Sequence, residues 1–340
     1  MKIVVTGGAG FIGSNFIHFL IGQDAGYEVV NFDKLTYAGN LENLADIADN
    51  QHYCFILGDI CNEQAVAVAM QNADVVVNFA AESHVDRSIR VATPFVTTNI
   101  LGTQILLDMA REARIKLFVQ ISTDEVGGSL PMGVWLRENS PLAPSSPYAA
   151  SKAAAEHLVY AANHTHKLPT IIVRISNNYG PFQFPEKLIP LTIANALEFK
   201  ALPIYGDGLY VRDWIYVEDS CRAIHEVILR GQPGQIYNIG ARNERTNLAV
   251  VKFIVRLLER PRELMTFIED RPGHDRRYGV DPTKIETELG WRPQVTFKEG
   301  LKYTIDWYLR NIEWLANARS GQYSDYYYQH YGNYAPYSDK

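Results

Sequence analysis

Two textures alternate along the first half of the chain. Short apolar, often β-branched runs recur at Lys2-Ile3-Val4-Val5-Thr6, Glu28-Val29-Val30-Asn31-Phe32-Asp33, Tyr53 to Asp59, Ala73 to Ala81, Leu117-Phe118-Val119-Gln120-Ile121-Ser122 and Thr170-Ile171-Ile172-Val173-Arg174. Near-continuous apolar runs of this length predict strands buried on both faces. Between them, apolar positions return at helical spacing, as at Phe16, Ile17, Phe19, Leu20 and Ile21. The alternation predicts an α/β fold, a Rossmann-type doubly wound parallel sheet covered by helices on both faces. Right-handed crossovers then bring the strand C-terminal ends to one edge, where ligands bind.

Beyond about residue 178 the texture changes. Glycine and proline become denser, strands shorten, and Arg212, Arg242, Arg245, Arg271, Arg276 and Arg277 look like a cluster. The expected organisation is a nucleotide-binding domain, residues 1–178, that carries the catalytic groups, and a smaller substrate-binding lobe, residues 179–340. The boundary is soft, because segments of such lobes cross back. The tyrosine-rich tail from Tyr323 to Tyr337 receives no role.

Composition narrows the function class. With 340 residues, 47% hydrophobic and 21% charged, the chain is an ordinary soluble protein longer than one typical core. A net charge of -6 gives no footprint for nucleic acid or a membrane surface. No stretch is apolar for the length of a bilayer span, and no charged-then-apolar leader precedes the first strand. Cys54, Cys61 and Cys221 have no metal or redox spacing, so no metal is expected and the thiols suit a cytoplasmic protein.

The first strand runs into Thr6-Gly7-Gly8-Ala9-Gly10-Phe11-Ile12-Gly13. Glycines here permit a tight turn, let backbone approach a pyrophosphate, and leave the N–H groups of the following helix free for phosphate oxygens. Asp33 ends the next strand, 20 residues beyond Gly13, where a carboxylate suits adenosine ribose hydroxyls and repels a 2′-phosphate. NAD is therefore favoured over NADP, a preference that Lys34 tempers. Asp59 and Ile60 follow the third strand, at the adenine. Ala80-Ala81-Glu82-Ser83 follows the fourth, along the pyrophosphate and nicotinamide ribose.

Tyr148 and Lys152 share one helix face at four-residue spacing. A tyrosine with a pKa near 10 needs about three units of depression to act as a base at pH 7. A lysine ammonium and an oxidised nicotinamide ring are the expected sources. Ser122-Thr123-Asp124-Glu125 follows the fifth strand, and Val126-Gly127-Gly128 predicts that the chain turns there. Only a turn lets both carboxyl groups face one substrate, since successive strand side chains point apart. Two adjacent carboxyl groups in a partly buried pocket separate in pKa, so one serves as acid and the other as base.

These segments carry a resemblance. With Asp33-Lys34-Leu35-Thr36-Tyr37-Ala38-Gly39-Asn40, Ala80 to Ser88, Asn177-Asn178-Tyr179-Gly180-Pro181, Phe184 to Pro190, Arg212-Asp213-Trp214 and Asp270 to Arg277, the chain resembles the extended short-chain dehydrogenase/reductase group. Within it, the chain is similar to the dTDP-glucose 4,6-dehydratase family nearly end to end. The resemblance implies that Thr123, Tyr148 and Lys152 act at the sugar C4 hydroxyl while hydride passes to NAD. Glu125 then removes the C5 proton, protonated Asp124 releases the C6 hydroxyl as water, and hydride returns to C6. It adds Lys34, Leu35, Thr36, Thr98, Ser122 and Asn178 as cofactor contacts. It assigns Ser83, Asn177, Lys187, Leu188, Arg212, Asn247, Arg271 and His274 to the nucleotide sugar. Planar guanidinium groups at 212 and 271 suit phosphate oxygens independently. It also implies tightly held, regenerated NAD, dTDP-glucose as partner, and a homodimer built on the helices Pro94 to Arg111 and Ser151 to Asn163.

Two departures stand out. Gly127 replaces the family's usual tyrosine, which suggests a missing aromatic wall, and the loop from Gly128 to Ser140 is short. His84 reads as a structural histidine. A related 4-epimerase or decarboxylase, and a non-catalytic NAD-binding regulator, remain alternatives at this point.

Overall fold

In the computed structural model, which describes residues 1–23, 25–320, Tyr327 and Tyr331, the apolar runs form one parallel sheet. Its strands are β1 (Lys2–Thr6), β2 (Glu28–Asp33), β3 (Tyr53–Leu57), β4 (Val75–Asn78), β5 (Leu117–Thr123) and β6 (Thr170–Ile175). A seventh strand comes from far along the chain. After β7 (Asn177–Tyr179), β8 (Leu202–Tyr205) and β9 (Val211–Tyr216), β10 (Ile236–Ile239) returns and pairs with β6. The order is β10-β6-β5-β4-β1-β2-β3. The β3 and β4 runs are shorter than their apolar stretches, because Gly58-Asp59 and Phe79-Ala80-Ala81 already turn towards the site. Ladder register pairs Thr6 with Phe32 on one side and Asn78 on the other.

The side chains explain the sheet. Ile3, Val5, Val29, Val75, Val77, Val119, Ile171 and Val173 on one face pack with Phe16, Ile17 and Leu20 of the helix Phe11–Ile21. Val4, Val30, Val76, Phe118 and Ile172 on the other meet Leu106, Leu107 and Val159. Each such buried side chain contributes roughly 1.5–3 kcal/mol. Near the C-terminal edge, buried Thr6, Asn78 and Gln120 form a hydrogen-bonded ladder across β1, β4 and β5 (Thr6 Oγ1 to Asn78 Oδ1 2.6 Å, Asn78 Nδ2 to Gln120 Oε1 2.9 Å). It locks the strand ends that carry the site.

The second lobe has its own core, with Ile189, Ile193, Trp214, Val251, Ile254, Leu301 and Tyr308 among its buried members. Its strands are β7, β9 and β11 (Glu244–Thr246) in one sheet and β8 with β12 (Met265–Ile268) in another. No single cut separates the lobes, since β10 and the helix Val217–Arg230, which packs on Phe11–Ile21, belong with the large sheet. Most of the tail Tyr323 to Tyr337 lies outside the described residues. Among the described residues no helix is long and apolar enough to cross a membrane and no group of side chains suits a metal ion.

Candidate active site

The sheet order reverses between β1 and β4, which opens a crevice at their C-terminal ends. One cavity of about 420 Å³ runs from there to the second lobe. The glycine turn forms its first wall. Gly7 has φ +68°, and a Cβ there would lie 2.6 Å from Ala80 N. A Cβ on Gly13 would lie 2.3 Å from the Gly7 carbonyl oxygen. The turn is therefore a cradle that only glycine leaves open, and the N-terminus of the helix Phe11–Ile21 points into it. Asp33 is fixed at the rim by Ala9 N at 3.0 Å and Leu35 N at 2.8 Å. Burial raises its pKa, and those two N–H groups oppose the shift. Thr98 comes from a π-helical stretch, Val96–Gly102, a distortion that is common where a helix meets a ligand site. These features fit a dinucleotide such as NAD. Gly13→Ala is accordingly expected to purify without bound nucleotide, as read by chromatography of the nucleotide released on denaturation.

The catalytic segments meet deeper in the same cavity. Thr123 is the last extended residue of β5, and Asp124–Gly127 forms a 3-10 turn. Thr123 Oγ1 caps the turn by accepting from Glu125 N at 3.3 Å. The turn is what lets both carboxyl groups face the cavity. Asp124 is 4% exposed. Burial, with the Glu125 charge second, raises its pKa to about 8. Burial also raises Glu125, but Arg271, Arg212 and Lys187 pull it back. Asp124 is thus a neutral acid at pH 7, beside a second carboxyl group whose charged form three cations favour.

Ser146 caps the helix Pro147–His166 through Ala149 N at 3.1 Å, and Tyr148 and Lys152 occupy its first turns. Lys152 Nζ donates to the Ile121 carbonyl at 2.6 Å, and burial lowers its pKa to about 8. Tyr148 is pushed above its ordinary value, first by burial and then by the Glu125 charge, while the Thr123 hydroxyl acts to lower it.

Most of the remaining expected residues line this one cavity. Gly7, Gly10, Phe11, Ile12, Gly13, Asp33, Lys34, Thr36, Ile60, Ala80, Ala81, Ser83, Thr98, Ser122 and Asn178 of the expected cofactor contacts do so. Asn177, Lys187, Leu188, Arg212, Asn247, Arg271 and His274 of the expected substrate contacts do so as well. Leu35 and Asp59 do not line it. Leu35 serves through its backbone N–H, and Asp59 pairs with Lys34 at 3.3 Å and accepts from Cys61 N at 2.9 Å. The arginine cluster also comes apart. Arg242 pairs with Glu286 and Asp281, Arg276 with Asp207 and Arg277 with Glu244, while Arg245 lies over the Phe297 ring. Only Arg212 and Arg271 reach the cavity.

Gly127 leaves no gap either. A Cβ there would lie 2.6 Å from Leu136 Cδ1, so the position faces packed Leu136. The aromatic surface beside the acid pair comes from Tyr278, whose hydroxyl is 3.5 Å from Glu125 Oε2 and whose ring lies under Arg212 at 4.2 Å. His84 is buried, held neutral by burial and the Lys187 charge, and sits 3.8 Å from Glu186. Sequence reasoning missed Asp86, Glu186, Tyr205 and Tyr278 as cavity-lining residues. Three of them lie within or beside the quoted motifs, but their inward orientation depends on lobe packing.

Among the buried polar atoms on residues lining this cavity, Ser122 Oγ, Asp124 Oδ2, Ser176 Oγ, Asn177 Oδ1, Asn178 Oδ1, Gln183 Oε1, Trp214 Nε1, Asn247 Oδ1 and Arg271 Nε have no hydrogen-bond partner among the described residues. Buried polar groups are normally satisfied, so their concentration on one surface marks where a polar ligand completes the structure.

A parallel sheet with a glycine cradle at its switch point, and a Tyr-x-x-x-Lys helix beside it, define the extended short-chain dehydrogenase/reductase class. The model of the GDP-mannose 4,6 dehydratase family matches residues 4–304. The dTDP-glucose 4,6-dehydratase 1 of Escherichia coli (strain K12) is 51% identical, with 97% of this chain and 99% of that protein covered. A dTDP-glucose 4,6-dehydratase from Streptomyces venezuelae, solved with NAD bound, superposes with a TM-score of 0.92 at 46% identity, covering 94% of this chain and 100% of that one. A UDP-glucuronic acid 4-epimerase from Bacillus cereus, solved with UDP-glucuronic acid and NAD, reaches 0.86 at 30% identity, covering 91% and 99%. The chain belongs to the GDP-mannose 4,6 dehydratase family, in which its curated relatives at about this identity are dTDP-glucose 4,6-dehydratases.

Proposed function

We propose that the protein is an NAD-dependent dTDP-glucose 4,6-dehydratase, a hydro-lyase that forms dTDP-4-keto-6-deoxyglucose for deoxysugar biosynthesis. The observation that carries this reading is the pairing of neutral, buried Asp124 with Glu125 in the cavity that also holds Tyr148. Alcohol oxidation alone, and hence 4-epimerisation, has no use for that pair.

The glycine cradle, Asp33, Thr98, Ser122 and Asn178 would hold NAD. When bound, NAD supplies the acceptor and donor of hydride and a cationic ring that favours a phenolate. Tyr148 takes the C4 hydroxyl proton, with Thr123 hydrogen-bonded at the same point. The resulting 4-keto group acidifies the C5 proton, which Glu125 removes. Asp124 gives its proton to the C6 hydroxyl, and water departs. Arg212, Arg271 and Lys187 hold the diphosphate. Their charges also oppose the upward pull of burial on Glu125, so the substrate-binding charges and the base are coupled.

The test is a panel of dTDP-, UDP-, GDP- and CDP-glucose with mass-spectrometric product identification. The expected result is loss of one water from dTDP-glucose with no net NADH. An isomeric product with its water retained would select the epimerase reading, and tight NAD binding without turnover would select a regulator.

The proposal extends to a homodimer. The run from Thr93 to Glu112 packs against Pro147–His166 and leaves Val96, Leu101 and Tyr160 more than half exposed, which suits a helical interface. Light scattering should give about twice the mass of the 38.4 kDa chain, and Leu101→Glu should give the monomer. The free thiols of Cys54, Cys61 and Cys221 agree with a cytoplasmic setting.

A further inference from the structure

Tyr331 belongs to the tyrosine-rich tail to which the sequence assigns no role, yet it lines the cavity and is 6% exposed. It packs with Leu191 and Ile268 of the second lobe. Four residues earlier, the Tyr327 hydroxyl accepts from Asn195 Nδ2 at 3.1 Å, and the two tyrosine rings lie 5.5 Å apart. The pair is thus anchored on the helix Leu188–Leu197.

The hydroxyls of Tyr331 and Tyr205 are 3.3 Å apart. Tyr205 donates to Asp86 Oδ2 at 3.1 Å, and Asp86 Oδ1 accepts from an Arg271 terminal nitrogen at 2.7 Å. A phenol has one proton to give, and that of Tyr205 goes to Asp86, so Tyr331 is the donor to Tyr205. The chain therefore reads Tyr331 to Tyr205 to Asp86, with Arg271 meeting Asp86 from the other side. Arg271 Nε remains buried and unpartnered among the described residues.

We propose that Tyr331 is a positioning residue for the nucleotide diphosphate, acting through Tyr205 and Asp86 to leave one edge of the Arg271 guanidinium free for phosphate. The inference rests on the dehydratase reading above. Its physical basis is competition. A carboxylate facing a guanidinium prefers to take it with both oxygens. Tyr205 occupies one Asp86 oxygen, which holds Asp86 to a single contact and keeps the Nε edge open. Tyr331, by donating to the Tyr205 oxygen, aims and strengthens the Tyr205 proton. Loss of the Tyr331 hydroxyl loosens that restraint, and Asp86 closes on Arg271 in place of the substrate.

Calorimetry of the NAD-loaded full chain with dTDP, UDP and inorganic pyrophosphate tests this. Tyr331→Phe keeps the ring and removes only the hydroxyl. It should weaken all three diphosphates about five-fold, the effect of one hydrogen bond. Tyr205→Phe should weaken them at least as much, and the double variant should match Tyr205→Phe alone. KM for dTDP-glucose should rise in parallel, with kcat changed less than about two-fold and NAD content unaltered. Unchanged affinities in Tyr331→Phe would overturn the relay, as would effects that multiply in the double variant. Weakening of dTDP alone would overturn it too, because it would make Tyr331 a base contact. The dehydratase reading fails separately, if the wild type binds dTDP no better than UDP or pyrophosphate and leaves dTDP-glucose intact.

Discussion

Asp124→Asn is expected to slow water loss by about 10²- to 10⁴-fold, the usual contribution of a positioned general acid, while C4 oxidation survives. The carboxyl is buried, held protonated at neutral pH with a pKa of about 8, and its Oδ2 has no partner among the described residues. Asparagine keeps the shape and hydrogen-bonding capacity but has no proton to transfer. The 4-keto-glucose nucleotide should therefore accumulate and be trapped by borohydride or seen directly by mass spectrometry. Normal yields of the 6-deoxy product would remove Asp124 as the acid. In the wild type the acid limb should fade as pH rises through about 8, since only the protonated form is competent.

The same substitution should stabilise the fold. Below the unfolded-state pKa near 4 the carboxyl is protonated in both states and contributes nothing to pH dependence. Between about 4 and 8 the unfolded chain releases the proton and the folded chain keeps it, so folding becomes less favourable as pH rises. At pH 7 this penalty is on the order of 4 kcal/mol. Asparagine does not titrate, so the gain in Tm of the variant over wild type should be larger at pH 8 than at pH 4. A buried acid that lowers stability fits the proton-donor role proposed for it and not a packing role.

How much of this was legible depended on whether a role is local. β1 and its glycine turn need only neighbours in sequence, so Gly7 to Gly13 and Asp33 were readable at once. The turn after β5 was inferable because Gly127-Gly128 cannot continue a buried strand. Longer-range features were not. Lys152 was assigned to Tyr148 by spacing, but its ammonium meets a carbonyl of β5 that only strand packing brings near. Arg277 looked like Arg271 in sequence, yet it is spent on Glu244 and on the carbonyls of Pro131 and Val134. Asp86 and Tyr205, 119 residues apart, carry no shared signal at all. Their meeting depends on how the second lobe closes over the sheet edge.

Tyr148→Phe is expected to reduce the first hydride transfer by about 10²- to 10⁴-fold, measured as the absorbance step at 340 nm in a single turnover of the loaded protein. Any alternative base must reach the same hydroxyl. Glu125 and Asp124 are in the cavity, but Asp124 is already protonated, and Glu125, pulled back towards an ordinary carboxyl by Arg271, Arg212 and Lys187, is a weaker base than a phenolate. Lys152 is engaged with the Ile121 carbonyl. Only Tyr148, with Thr123 hydrogen-bonded to it, remains for C4. Because burial and the Glu125 charge hold its proton on, the oxidation half should accelerate with pH across the neutral range in wild type. Phenylalanine has no proton to titrate, so that slope should vanish in the variant along with the rate. A variant that kept the wild-type slope at a reduced rate would move the base elsewhere and leave Tyr148 a hydrogen-bonding wall.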